Sequence, residues 1–141
     1  MVIAPGRINY LNTDLDLASP CDLTELAIYF ESRGMYILHA TRSERGTLQV
    51  ERRPDGLWHA IFETEEPFDE PERSIAAMLC AVESLPPSLE AVWQGCSQRD
   101  FNLGYDCGDE PWAFQQGLSS ELLGRIAAAG ASLQITIYPQ R

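Results

Sequence analysis

Between Ser119 and Tyr138 the chain changes its hydrophobic period from that of a helix to that of a strand across one glycine. Ser119 is a residue type that caps helix N-termini, and Leu118 and Leu123 flank it with the spacing of a hydrophobic staple. Leu122, Leu123, Ile126 and Ala127 fall on one helical face, and Gly130 suits the left-handed position that ends a helix. Beyond it, Leu133, Ile135 and Ile137 alternate with Gln134, Thr136 and Tyr138, the period-2 pattern of a strand. A chain that makes this switch is neither all helix nor all strand.

The same two periods recur upstream. Over 7–17, Leu11, Thr13, Leu15 and Leu17 alternate with Asn12, Asp14 and Asp16, which predicts a strand. A helix is expected over 22–33, with Asp22 as cap and Glu25 completing a capping box; Leu23, Leu26, Ala27 and Phe30 form its apolar stripe and Gly34 its end. Strands follow at 35–40, 47–52 and 57–64, the last two joined by the turn Arg53-Pro54-Asp55-Gly56. Together they read as a meander of three adjacent strands. Asp69 opens a helix with Pro71 in its first turn and Ile75, Leu79 and Val82 on its apolar face, where Cys80 also reads as core. Pro86-Pro87 stops it, Ser88 restarts a short helix with Trp93, and Phe101, Leu103 and Tyr105 mark another strand. The predicted order is roughly β-α-β-β-β-α-α-β-α-β over 1–141, a single α+β domain. Its sheet is expected to be antiparallel or mixed, with helices packed mainly on one face.

Composition narrows the function. The chain has 141 residues and a formal charge of −11, and all ten of its basic residues are Arg. Residues 1–60 hold six Arg against eight acids, and 61–141 hold four against thirteen. Such a surface repels phosphate, so neither nucleic acid nor an anionic membrane is an expected partner. No apolar run reaches the ~18–20 residues of a membrane span, and the start shows no secretory pattern. Cys21, Cys80, Cys96 and Cys107 form no C-x-x-C pair, which reads as the reduced thiols of a cytoplasmic protein.

Two groups stand out as candidate binding residues. The acids Glu63, Glu65, Glu66, Asp69, Glu70 and Glu72 crowd ten positions, either as a solvated turn and helix start or as a docking surface for a basic protein partner. The loop 105–114 carries Asp106, Cys107, Asp109, Glu110, Trp112 and Phe114 just after a strand, where binding groups commonly sit. Its aromatics either clamp it to the core while the acids face water, or present a ligand or partner site. No metal-ligand spacing is matched. A nucleophilic Cys107 needs a base and a cationic neighbour that the flanking carboxylates do not supply. Asn12 to Asp16 superficially follows an EF-hand, but Leu17 and Leu23 stand where that loop needs Gly and Glu, which excludes calcium binding of that type. His39 and His59 are the only imidazoles, and their rings approach only if their strands are neighbours. Arg42, Arg45, Arg52 and Arg53 form the one basic cluster, and charge balancing against the acids of 63–72 is the plain expectation. No nucleotide, hydrolase or zinc-protease motif occurs, so no catalytic residue, metal or cofactor is indicated.

The stretch Gly117-Leu118-Ser119-Ser120-Glu121-Leu122-Leu123-Gly124-Arg125-Ile126, with Ala129-Gly130-Ala131-Ser132-Leu133-Gln134-Ile135-Thr136-Ile137-Tyr138, resembles short bacterial proteins grouped as a domain of unknown function. Asp22-Leu23-Thr24-Glu25-Leu26 after the first strand is similar too. Some of those proteins are proposed as immunity partners of bacterial toxins, so the resemblance implies a small acidic binding protein with no catalytic residues to transfer. The expectation is therefore a non-enzymatic, cytoplasmic protein-binding module, immunity-like or regulatory, that uses 63–72 and 106–112. The alternatives are a small enzyme or metal- or ligand-binding protein built on the 106–112 loop, and a homo-oligomeric subunit using Trp93 or Trp112.

Overall fold

The computed structural model describes residues 6–139; the reading of the chain start as lacking a leader rests on residues that lie outside this range. The elements are β1 (Asn9–Ser19), α1 (Thr24–Glu31), β2 (Met35–Leu38), β3 (Thr41–Arg42), β4 (Leu48–Gln49), β5 (Trp58–Thr64), α2 (Pro71–Glu83), α3 (Pro87–Gln94), β6 (Gln98–Asp106), α4 (Ser120–Ala128) and β7 (Ser132–Tyr138). Five strands form a mixed sheet in the order β2-β5-β1-β6-β7, and β3-β4 form a separate pair. The class is α+β. Pairing is antiparallel from β2 to β6 and parallel between β6 and β7.

Alternation decides which side of the sheet is dry. Thr13, Leu15 and Leu17 of β1 point to the same side as Ala60 and Phe62 of β5 and Phe101, Leu103 and Tyr105 of β6, and all are buried. The helices cover that side. Phe30 of α1 meets Phe62 edge-on at 5.2 Å and Trp93 of α3 at 6.2 Å, geometry that aromatic quadrupoles favour. Trp93 is thereby buried and is no oligomer contact; its Nε1 donates to the Ala129 carbonyl at 2.8 Å. The Arg99 guanidinium donates to the carbonyls of Trp93, Gln94, Cys96 and Gly130 at 2.9–3.1 Å, satisfying orphan helix-end acceptors. Arg125 of α4 grips both Glu83 oxygens of α2 at 2.7 and 2.9 Å.

Several local expectations are corrected. The middle is not a three-strand meander: β2 pairs directly with β5, and the chain between them leaves the sheet at His39, whose φ of 59° is unusual for a side chain with a Cβ. Leu48 and Val50 instead drop into the core beside α1, where the Val50 N–H donates to Thr24 Oγ1 at 3.0 Å. Asp22 accepts from the N–H of Thr24, the first residue of α1, at 2.9 Å, but it does so from one residue before the cap position, which Leu23 holds. Leu11 is exposed because the β1–β6 register shifts between Tyr10 and Asn12. Cys80 is exposed on α2, whereas Cys96 is buried and its thiol is pushed up to about 11 by burial, which makes it inert. Ser119 does cap α4, accepting from the Leu122 N–H at 3.1 Å. Among the described residues no helix is long and apolar enough to cross a membrane.

Candidate functional site

Both acidic segments leave the sheet at the same end. β5 and β6 flank β1 and run antiparallel to it, so their C-terminal ends both lie toward its start. Strands are spaced ~4.8 Å apart and β6 runs further than β5, which sets the two exits on the order of 15 Å apart. Glu65 and Glu66 follow β5, and Asp69 and Glu70 precede α2; all four are exposed. Asp69 stands 3.9 Å from Arg73. The charge-balancing expectation fails here: among the described residues no ion pair joins Arg42, Arg45, Arg52 or Arg53 to the acids of 63–72, and Arg42 pairs with Glu31 instead. Glu72 is used structurally, accepting from the Ser119 N–H and hydroxyl at 2.8 and 2.5 Å, and these bonds hold its carboxyl below the usual range.

The 106–112 loop is held by its backbone. The Ile8 N–H donates to the Glu110 carbonyl at 2.8 Å, and the Asp109 and Glu110 N–H groups converge on the Gly6 carbonyl at 2.9 and 3.0 Å. Gly108 permits this approach, since a Cβ there would lie 2.4 Å from the Gly6 oxygen. Asp106 is half-buried at the end of β6, while Cys107, Asp109 and Glu110 are exposed, Glu110 within 3.7 Å of Arg7. The two aromatics divide the roles foreseen for the loop. Phe114 packs against Tyr105 at 5.5 Å, but Trp112 is 97% exposed.

Between the acidic exit of β5 and the start of α2 lies a cavity of about 270 Å³ lined by Tyr10, Tyr36, Phe68, Glu63 and Glu65. Aromatic walls with carboxylates at the mouth are the chemistry that receives an arginine or lysine side chain.

The open face of the sheet carries a network that sequence reasoning missed. The Asn12 amide donates to Asp14 Oδ1 at 3.0 Å and to Glu63 Oε1 at 2.6 Å, and the Tyr36 hydroxyl donates to Glu63 Oε2. Burial first, then the hydrogen bond and charge of Glu63 and the charge of Asp16, push the Asp14 carboxyl up to about 7. The bond to Glu63 holds the Tyr36 hydroxyl protonated up to about 12. Two residues along β1, Asp16 faces Asp100 of β6 directly, and burial followed by that like charge raises its pKa. Its Oδ1 is buried without a hydrogen-bond partner among the described residues. The alternation of Asn12, Asp14 and Asp16 signalled a polar face; their partners depended on strand register. The Asp14–Glu63 pair resembles a proton-sharing dyad, and with Asn12 donating to both carboxyls and Tyr36 to Glu63 it ties three strands together. Among the described residues no three His, Cys, Asp or Glu side chains are placed to hold a metal ion.

His39 and His59 line one cavity of about 270 Å³ with Arg52, Arg53 and Glu51. His59 is engaged by Asp55 at 2.6 Å, and Glu51 accepts from the Thr41 hydroxyl at 3.2 Å. Compared with known protein families, curated proteins and solved structures, the chain matches none.

Proposed function

We propose that this protein is a non-enzymatic binding module of the bacterial cytoplasm, immunity-like or regulatory, that engages a basic protein partner through the acidic end of its sheet. Glu65, Glu66, Asp69 and Glu70 steer and orient the encounter from one side, and Asp106, Asp109 and Glu110 do so from the other. Trp112 is the anchor that the partner desolvates. The cavity beside Glu63 takes a cationic side chain of that partner. The observation that carries this reading is Trp112 itself: a large indole left in water two residues beyond a backbone anchored at Cys107, Asp109 and Glu110, beside acids whose only ion-pair partners among the described residues are Arg73 and Arg7. An exposed indole offers a partner a large apolar surface to desolvate, and the acids around it favour a basic one.

Affinity capture with the intact protein at low salt tests it. A basic partner should be retained by the wild type, released as ionic strength rises, and lost with Trp112→Ala. Recovery of the same proteins by wild type and Trp112→Ala sinks the proposal. A thermal shift with divalent cations that Asp109→Asn abolishes would favour a ligand-binding role for the loop instead.

A further inference from the structure

The two edges of the sheet are built differently. β2 closes one side with only four residues, a common protection against unwanted pairing. β7 closes the other with seven, and among the described residues it pairs only with β6. It contains no charge and no proline, so it lacks the usual guards of a long edge. On its helix side Leu133, Ile135 and Ile137 continue the buried row Phe101, Leu103, Tyr105 of β6, yet they are 39%, 59% and 63% exposed. Leu123 and Phe114 border the row, and cavities of about 230 and 460 Å³ open along it.

We propose that β7 pairs with β7 of a second copy, antiparallel about Ile135, to form a two-fold dimer with a continuous ten-stranded sheet. The strand is its own complement. Centred on Ile135, the register sets Ile135 opposite Ile135 of the partner copy, Leu133 opposite its Ile137, and Gln134 opposite its Thr136. A two-fold axis perpendicular to the sheet keeps both aliphatic rows on the helix side, so six branched side chains close one patch and no charges meet. The chain's own charge selects the antiparallel arrangement. Tyr138 lies beside Asp106, so antiparallel pairing puts the acidic loops of the two copies at opposite ends of the shared sheet, about 20 Å apart along the strands. Parallel pairing would stack them. The other edge, β2, is also uncharged but has only four residues, so it offers a shorter match. The contact is confined to one strand pair and the aliphatic patch beside it, which sets the expectation of a reversible dimer over micromolar concentrations.

Sedimentation velocity across low to high micromolar concentrations tests this. The wild type should pass from monomer to dimer, and Ile135→Lys and Ile135→Glu should each stay monomeric with unchanged circular dichroism. An equimolar mixture of the two variants should recover a heterodimer, because the register sets position 135 against itself. A wild type that stays monomeric overturns the proposal, as does a dimer that survives Ile135→Lys or a mixture that does not associate.

Discussion

The two faces of the central sheet are made by the same strands and obey opposite rules. On the helix side, Leu15, Leu17, Phe62, Phe101 and Leu103 are fully or almost fully buried, and their stability comes from area removed from water. On the open side, Asn12, Asp14, Asp16, Glu63, Asp100 and Asn102 are half-buried. There the carboxyls are crowded enough that protonation and amide donors hold them together. The first face is indifferent to pH and intolerant of lost volume. The second tolerates changes of shape where its donors can adjust, and it responds to pH. One sheet thus carries a packing core and a titratable layer separated by the thickness of a strand.

The largest test of the contrast is Phe62→Ala, which empties the contact with Phe30 and should cost about 3–5 kcal/mol at any pH by urea denaturation. Next is Gly104→Ala on the open side. A Cβ there lies 2.8 Å from Asn12 Oδ1, so the amide that donates to Asp14 and Glu63 must shift, for a loss of about 1–3 kcal/mol. Asp14→Asn should act with the opposite sign at neutral and higher pH. A carboxyl raised from 3.8 to about 7 in the folded state binds a proton that the unfolded chain has already released. Its contribution is full below pH ~4 and is lost as pH rises through about 7. Asparagine keeps the amide contacts without that loss. The variant should gain about 1–2 kcal/mol on the wild type between pH 4.5 and pH 8, water at this position screening part of the effect. Equal pH slopes for the two proteins would show that Asp14 does not titrate there. Smallest is Trp112→Ala, outside both faces, whose unfolding midpoint should move by less than about 0.5 kcal/mol equivalent while partner capture is lost.

Legibility in the sequence followed the range of the interaction. Ser119 capping α4, Gly34 and Gly130 at positive φ, and the strand alternation all involve neighbours within a few residues, and they stand where expected. The turn at Arg53 to Gly56 does too, its Gly56 N–H donating to the Arg53 carbonyl at 2.9 Å. The middle strands went astray for the converse reason. Thr24 and Val50 found each other across 26 positions, and β5 took β2 as its neighbour, neither of which a local pattern encodes. At the candidate site the residue types were legible as an acidic run and an aromatic loop. That Trp112 is exposed while Phe114 packs was not, since alternation carries no meaning in a loop.

By itself, then, the sequence determined the α+β class, the alternation of most strand faces and the sign of the surface, because periodicity and net charge are properties of the chain. Only the tertiary structure decided that β5 and β6 deliver their acids to one end of the sheet, that Asp14 meets Glu63, and that β7 is left as an open edge. Each of these depends on which strand lies beside which, and strand order is set by burial summed over the whole core.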